Sequence, residues 1–212
     1  MKRLLLLLLL CAVGFIHSAF DVRPPIASPA SSDPVVPTLL APYLKDKACR
    51  QWVDSVMDGL TLKQKVGQLF IYTLAPTRDN ANRALLQKVI KEYHVGGLLF
   101  SGGELGSQAI LTNEAQELSK VPLLLTFDGE WGLAMRLKQL PPFPKNKVLG
   151  RIRDDSLLYA YGREVARQLK EIGVQVNFAP VADVNINPRN PVINVRSFGA
   201  DPELVEIGRA HV

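Results

Sequence analysis

Four short stretches of the chain are almost continuously apolar, and longer segments with mixed polar and apolar positions separate them. The four are VGQLFIYTL at 66–74, VGGLLF at 95–100, VPLLLTF at 121–127 and VQVNFAPVADV at 174–184. Apolar runs of this length predict buried strands. Helices are predicted between them, at 80–93, 105–119 and 155–172.

The segment 155–172 has the clearest helical pattern. Apolar residues recur there at spacings of three and four and Gly173 follows as a helix stop, the apolar positions being Leu158, Tyr161, Val165, Leu169 and Ile172. Thr61 and Gln64 have the spacing of a capping box. Strands that alternate with helices predict an α/β fold with a parallel sheet, either an open doubly wound sheet or a (β/α)8 barrel.

Residues that could bind a ligand or take part in catalysis follow the third and fourth predicted strands. Asp128, Glu130, Trp131 and Arg136 lie in TFDGEWGLAMR, and Asp183 follows VNFAPVA. In both parallel α/β architectures, functional groups gather at the C-terminal ends of the strands. Carboxylates accept hydrogen bonds from vicinal hydroxyls, an indole packs on a sugar ring and arginine donates in a fixed fork, so carbohydrate is the simplest ligand.

The two acids Asp128 and Glu130 allow two interpretations. On an extended segment they point the same way, with Cα atoms about 6 to 7 Å apart, and could be the two carboxylates of a glycosidase. Alternatively, one acid binds the ligand while the other pairs with Arg136 or caps a turn.

Composition, charge and the lack of one motif argue against two classes of ligand, nucleic acids and nucleotide cofactors. The chain has 212 residues, of which 47% are hydrophobic and 21% charged, with a net charge of +5. Its Lys and Arg residues are scattered among acids, which is not typical of a nucleic-acid surface. No GxGxxG motif follows any predicted strand, so a nucleotide cofactor is not expected.

The N-terminus has the layout of an export signal. Lys2 and Arg3 precede a run of leucines that ends in a region of small residues, which predicts a signal peptide at 1–19. A single N-terminal membrane anchor is the alternative. The Pro- and Ser-rich segment that follows predicts a linker at 20–45. The mature protein is therefore expected to be exported, periplasmic or secreted, with no membrane contact after signal cleavage.

Several motifs in order resemble the N-terminal domain of glycoside hydrolase family 3. They are LTLKQKVGQLF, VGGLLFSGG, VPLLLTFDGEWGLAMRL and the long segment from GREVARQLKEIGV through NFAPVADV to RSFGADPELV. The form DGEWGLAMRL is most similar to the β-N-acetylglucosaminidase branch. The resemblance implies a (β/α)8 barrel of the TIM type and a retaining mechanism with a covalent intermediate on an Asp and a His as acid/base. It implies no metal and no organic cofactor.

The resemblance also implies roles for individual residues. Asp128 matches a family residue that holds sugar hydroxyls, and Arg136 and Arg196 match residues that bind the sugar. Glu130, Trp131 and Asp183 are further candidates; Asp183, like Asn177, belongs to the NFAPVxDV stretch and has either a structural role or a role in the site. Trp131 stands where the family usually has Gly, so it is either a platform for a sugar ring or a packed wall residue.

The family's motifs for catalysis are absent from these 212 residues. The family continues with a Lys-His-Phe-Pro-Gly-His-Gly segment and a later nucleophilic Asp, whereas His17, His94 and His211 lack that context. The expectation is a fragment with about the first half of the barrel, at 46–206, and no catalytic residues. The last residues, IGRAHV at 207–212, can be back-translated to the start of a common sequencing adapter, which suggests the hypothesis of an artefact.

The expected activity of the full-length protein is hydrolysis of terminal non-reducing β-linked N-acetylglucosamine from cell-wall or chitin-like glycans. The chain as given is expected to be inactive. Two alternatives remain open: a β-glucosidase-type exo-glycosidase of the same family, and a non-catalytic carbohydrate-binding protein.

Overall fold

A computed structural model of the chain describes residues 41–211. The predicted signal peptide and residues 20–40 of the predicted linker lie outside the described residues. The elements are α1 (Ala41–Lys45), α2 (Lys47–Asp58), α3 (Leu62–Gly67), β1 (Ile71–Leu74), α4 (Asn80–Lys91), β2 (Gly97–Phe100), α5 (Leu105–Leu118), β3 (Leu124–Phe127), α6 (Asn146–Leu149), α7 (Asp155–Glu171), β4 (Val176–Asn177) and α8 (Pro202–His211). Two 3-10 helices, Leu133–Met135 and Asn194–Arg196, lie in the loops.

The four strands form one parallel sheet in the order β1-β2-β3-β4. Ile71 is opposite Gly97, Gly97 is opposite Leu124 and Thr126 is opposite Val176. The predicted parallel α/β fold is thus confirmed. Because successive strands are also neighbours in the sheet, the C-terminal ends of β3 and β4 lie side by side, and this is where the candidate residues are found.

Two apolar clusters hold helices against this sheet. One joins α4 and α5 to the first three strands through residues such as Leu86, Leu98, Leu111 and Leu125. The other joins α7 and α8 to β3 and the segments that follow it, through Phe127, Leu137, Val165 and Phe198 among others. Burial of large apolar side chains is the main favourable contribution to such packing, at roughly 1.5 to 3 kcal/mol each.

The N-terminal helices form a third, smaller cluster. Cys49 and Val53 of α2 pack with Val121, and Tyr43 of α1 packs against them. The packed part of the domain therefore includes residues 41–45, which the sequence pattern assigned to the linker.

The capping box is confirmed, but the strand predicted at 66–74 is wrong for residues 66–70. The Thr61 N–H donates to Gln64 Oε1 at 2.9 Å and the Gln64 N–H donates to Thr61 Oγ1 at 3.3 Å. The box starts a helix that runs to Gly67 and continues into a turn, so β1 begins only at Ile71. Leu74 is the one buried residue of β1, whereas Phe70 is 61% exposed.

Helix α7 is confirmed close to its predicted bounds, with a buried face formed by Leu158, Tyr161, Val165 and Leu169. Gly173 has φ of 76°, the left-handed conformation expected of a helix stop. The fourth strand, predicted at 174–184, is wrong beyond its first residues: β4 is only Val176–Asn177, and the last ladder bond goes from the Phe178 N–H to the Phe127 carbonyl at 2.8 Å. Pro180 has no N–H to extend the ladder.

Between residues 41 and 211, none of the helices has the length and apolar character needed to cross a bilayer.

Candidate functional site

The segment after β3 folds over the C-terminal ends of the strands. Gly132 adopts φ of 79° and ψ of −171°, and the 3-10 helix Leu133–Met135 follows it. Asn177 at the end of β4 fixes the segment, because its Oδ1 accepts from the Gly129 N–H at 2.9 Å and its Nδ2 donates to the Gly129 carbonyl at 3.3 Å. The backbone between Asp128 and Arg136 is thus held by both strands.

Asp128 and Arg136 form an ion pair at the surface of this segment. Arg136 Nη2 contacts Asp128 Oδ2, and Arg136 Nε donates to the Asp128 carbonyl at 3.3 Å. Their side chains are 30% and 36% exposed respectively. Both groups can therefore still reach a ligand in solvent.

Glu130 and Arg196 form a second pair in a different environment. The Glu130 side chain is 1% exposed and that of Arg196 is 35% exposed. Arg196 Nε lies 2.9 and 3.1 Å from the two Glu130 oxygens, and Arg196 Nη2 lies 2.7 Å from Oε1. This contact joins two segments that are 66 residues apart in the chain.

Asp128 and Glu130 differ in burial and in their arginine partners, although the charges of both act on Arg196. Because β3 ends at Phe127, the following residues leave the extended conformation; Asp128 is half-buried, Glu130 is fully buried, and each acid pairs with its own arginine. Pairing of an acid with Arg136, the second interpretation from the sequence, is observed for Asp128. The geometry of two free glycosidase carboxylates is not found in this pair.

Arg196 is the electrostatic centre of the site. Its hydrogen bonds with Glu130 raise the pKa of the guanidinium above its usual value, burial opposes this, and the charges of Glu130, Asp128 and Asp183 raise the pKa further. Asp183 has an exposed side chain, and its carbonyl accepts from Ser197 Oγ at 2.6 Å. The fold thus gathers Asp128, Glu130 and Arg196 together and places Asp183 at the margin.

Trp131 is half-buried beside this group, and Lys145 Nζ lies 5.2 Å from the centre of its ring. This distance is within the range of a cation–π interaction. The contact agrees with either interpretation of Trp131, as a sugar platform or as a packed wall residue.

Two residues that support the site were not identified from the sequence. Tyr161 Oη donates to the Glu130 carbonyl at 3.2 Å, and burial raises the pKa of Tyr161 to about 12. Asn146, which is fully buried, donates from Nδ2 to the Arg196 carbonyl at 2.7 Å. A tyrosine on the buried face of a helix needs a partner for its hydroxyl, a signal available in the sequence, whereas nothing near Asn146 indicates its role.

Residues 41–211 contain no cluster of three or more His, Cys, Asp or Glu side chains that could hold a metal ion. The two buried or half-buried acids of the site have arginine partners instead.

Comparison with known proteins connects this chain to a family. The model of the glycosyl hydrolase family 3 N-terminal domain matches residues 61–212. Beta-hexosaminidase A of Pseudoalteromonas piscicida is 36% identical over 141 residues, which are 60% of this chain and 24% of that protein. Beta-hexosaminidase LpqI of Mycobacterium tuberculosis is 33% identical over 155 residues, 69% of this chain and 37% of that protein.

A third relative, the beta-N-acetylglucosaminidase/beta-glucosidase of Cellulomonas fimi, is 27% identical over 78% of this chain and 28% of its own length. The chain thus spans about a quarter to two fifths of the length of these curated relatives.

Solved structures share the fold. M. tuberculosis LpqI superposes with a TM-score of 0.63 at 30% identity, over 74% of this chain and 45% of that one. The beta-glucoside phosphorylase BglX gives a TM-score of 0.70 at 24% identity, over 79% of this chain and 30% of that one, which supports the fold alone. The family's neighbours are TIM-barrel enzymes, and the four-stranded sheet corresponds to the N-terminal part of such a barrel. The chain therefore belongs to glycosyl hydrolase family 3.

Proposed function

We propose that the complete protein is a retaining exo-β-N-acetylglucosaminidase that removes terminal non-reducing N-acetylglucosamine. The observation that carries the proposal is the arrangement of Asp128, Arg136 and Arg196 at the C-terminal ends of neighbouring strands, in a chain that belongs to this hydrolase family. Two of its relatives are named beta-hexosaminidases.

In this proposal Asp128 and the two arginines form the part of the sugar site that these residues supply. A carboxylate has about four lone-pair positions, and Arg136 occupies only one Asp128 oxygen, so the remaining positions can accept from sugar hydroxyls. Arg136 and Arg196 donate to hydroxyl or carbonyl oxygens. Trp131 and Asp183 are further candidates at the margin. The proposal assigns neither the nucleophilic Asp nor the acid/base His to any of the 212 residues.

The proposed substrates are terminal N-acetylglucosamine residues of cell-wall fragments or chitin-like glycans. This fits the export expected from the N-terminal sequence, which would bring the enzyme to such glycans in the periplasm or outside the cell. The proposed hydrolysis requires neither metal nor organic cofactor, because most glycosidases use side chains alone as nucleophile and acid/base.

The second candidate is an exo-β-glucosidase. The double name of the Cellulomonas fimi relative, beta-N-acetylglucosaminidase/beta-glucosidase, favours it, since both activities are attributed to that one protein. The two candidates differ in whether the enzyme requires the acetamido group of the sugar.

The test is to sequence the source locus across codon 206, express the complete reading frame and assay it with aryl N-acetylglucosaminide and aryl glucoside. We expect a Lys-His-x-Pro-Gly-His segment downstream and a kcat/KM at least tenfold higher for the N-acetylglucosaminide. A preference for the glucoside would support the second candidate. A stop codon directly after Val212, together with sugar binding but no turnover, would contradict both enzymatic candidates and favour a non-catalytic carbohydrate-binding protein.

The 212-residue chain alone is expected to be poorly soluble and inactive. Within the described residues, β1 and β4 each have one strand neighbour, and apolar side chains beside them are exposed, with Phe70 at 61% and Phe178 at 51%. Unpaired edges with apolar surface promote aggregation. Turnover of an aryl N-acetylglucosaminide by the purified 212-residue chain would contradict this expectation.

A further inference from the structure

Glu130 differs from the other acids of the site because it is closed to ligands. Its side chain is 1% exposed, while that of Asp128 is 30% exposed. Both Glu130 oxygens lie within hydrogen-bond distance of Arg196. A sugar hydroxyl could reach this carboxylate only by displacing the arginine.

Arg196, in contrast, keeps part of its guanidinium available. An arginine has five N–H donors. In Arg196, Nε and Nη2 contact Glu130, whereas Nη1 does not. The side chain is 35% exposed. One edge of the planar group therefore faces a buried carboxylate, while among residues 41–211 no hydrogen-bond partner occupies Nη1, which can donate to a ligand.

The surroundings hold both partners in place. The Glu130 backbone is fixed by Tyr161, whose hydroxyl donates to its carbonyl, and by an N–H contact with Met135 Sδ at 3.3 Å. The Arg196 backbone is fixed by Asn146 through its carbonyl. The rotamer of a long, flexible side chain is thus determined at both ends, which reduces the entropy lost when a ligand binds.

We propose that Glu130 is a positioning residue, which holds the Arg196 guanidinium by one edge so that its remaining N–H groups can donate to a bound sugar. The inference rests on the proposed function for the identity of the ligand, and it removes Glu130 from the group of direct sugar ligands. Glu130 acts through Arg196 and does not touch the substrate.

The first test requires no substrate. In the protein of the complete reading frame, Arg196→Ala leaves a guanidinium-sized space against the Glu130 carboxylate. Guanidinium chloride at low, non-denaturing concentration should raise the Tm of this variant relative to the same concentration of NaCl. The effect should disappear in the double variant Arg196→Ala/Glu130→Gln. As a matched control, Arg167→Ala, which removes an exposed arginine that also pairs with a glutamate, should not respond.

The second test measures turnover. Glu130→Gln keeps the size of the side chain but loses its charge, and charge-assisted hydrogen bonds are roughly twice as strong as neutral ones. We expect kcat/KM for the aryl glycoside to fall about tenfold, and Glu130→Gln to add no further loss when Arg196 is already Ala, because residues that act as a unit are not additive. Added guanidinium should restore activity to Arg196→Ala but not to the double variant.

The outcomes separate the two proposals. If the wild-type protein cleaves neither aryl glycoside, the proposed function fails, and the guanidinium effect on Tm still decides whether Glu130 holds the cation. If Arg196→Ala fails to fold even with guanidinium, the kinetics of Glu130→Gln decide. An unchanged kcat/KM in Glu130→Gln, or equal guanidinium rescue with and without the carboxylate, would overturn the inference.

Discussion

Two groups of arginine and glutamate side chains occur in very different settings in this molecule. On α7, Arg167 pairs with Glu164 and Glu171, and all three side chains are between 38% and 62% exposed. At the C-terminal end of β3, Arg196 pairs with Glu130, which is almost completely buried. Both groups pair a guanidinium with a carboxylate, but only the group on α7 is freely accessible to water.

The difference shows that a large pKa shift and a structural role are separate properties. Hydrogen bonds from Arg167, and then from Gln168, lower the pKa of Glu164 to about 2. Yet exposed ion pairs contribute little to stability, because water solvates either partner when the other is removed. A buried carboxylate that loses its partner has no such compensation. Four predictions test this comparison.

The largest effect on stability is expected from Arg196→Met, which strands the Glu130 carboxylate in a buried position. Breaking a buried pair typically costs about 3 to 5 kcal/mol. Glu130→Met should cost less, since Arg196 is 35% exposed and its guanidinium can turn toward water. Urea unfolding of both variants of the complete protein measures the difference. An equal loss of unfolding free energy in the two variants would contradict the expectation that the buried carboxylate depends more on its partner than the exposed guanidinium does.

The next effect concerns binding and not stability. Asp128→Asn removes a half-exposed charge, so we expect a change of less than about 1 kcal/mol in the free energy of unfolding. Hydrogen bonds to charged groups contribute about 1.5 to 3 kcal/mol, so kcat/KM for the aryl glycoside should fall about 10- to 100-fold. Kinetics and thermal unfolding of the same preparation check both statements. A stable variant with full activity would remove Asp128 from the sugar site.

A smaller effect with a defined pH dependence is expected from Tyr161→Phe. At pH 8 the variant loses the hydrogen bond to the Glu130 carbonyl, at a cost of about 1 kcal/mol. Burial raises the pKa of Tyr161 from 10.0 to about 12, so the folded state keeps its proton where the unfolded state has lost it. The stability that the raised pKa of Tyr161 contributes to the folded state is fully present below pH 10 and is lost as the pH rises toward 12.

The wild type should therefore lose more stability than Tyr161→Phe between pH 10 and 12, by at most roughly 3 kcal/mol. Urea unfolding at pH 8, 10 and 11 measures the change, and the difference between the two proteins cancels the titration of other groups. Parallel pH curves for both proteins would show that Tyr161 is not protected in the folded state.

The smallest effect is expected on the exposed surface of α7. Glu164→Gln and Arg167→Ala should change Tm by about 1 °C or less at neutral pH. Because the pKa of Glu164 is lowered, its contribution is present above pH 4.5 and is lost as the pH falls toward 2. Salt should reduce any difference that remains. A loss as large as that of Arg196→Met would mean that burial does not distinguish the two groups.

Much of the fold follows from local patterns. The apolar runs predicted where the four strands lie along the chain, and the spacing of apolar residues predicted α7 with its stop at Gly173. The same patterns failed where local and tertiary effects compete. At residues 66–70 the capping box extends a helix into an apolar segment, and after Phe178 the chain leaves the sheet although its sequence remains apolar.

For the candidate site, the sequence singled out the segment after β3 but did not predict which of its side chains pair with each other or with distant residues. Asp128 pairs with Arg136, eight residues away, as the spacing allowed, whereas Glu130 pairs with an arginine 66 residues later. Asn146 and Tyr161 were likewise joined to the site only by folding. Contacts across such distances depend on how the loops after β3 and β4 pack, which no local pattern encodes.

By itself, then, the sequence determined the parallel α/β fold and the family and predicted a candidate site after β3, because apolar periodicity and the order of motifs are local properties. The tertiary structure alone decided which carboxylate is open to a ligand and which is buried beneath an arginine. The physical reason is that burial belongs to the packed assembly: Asp128 and Glu130 are two residues apart, yet the turn after β3 leaves one in contact with water and encloses the other.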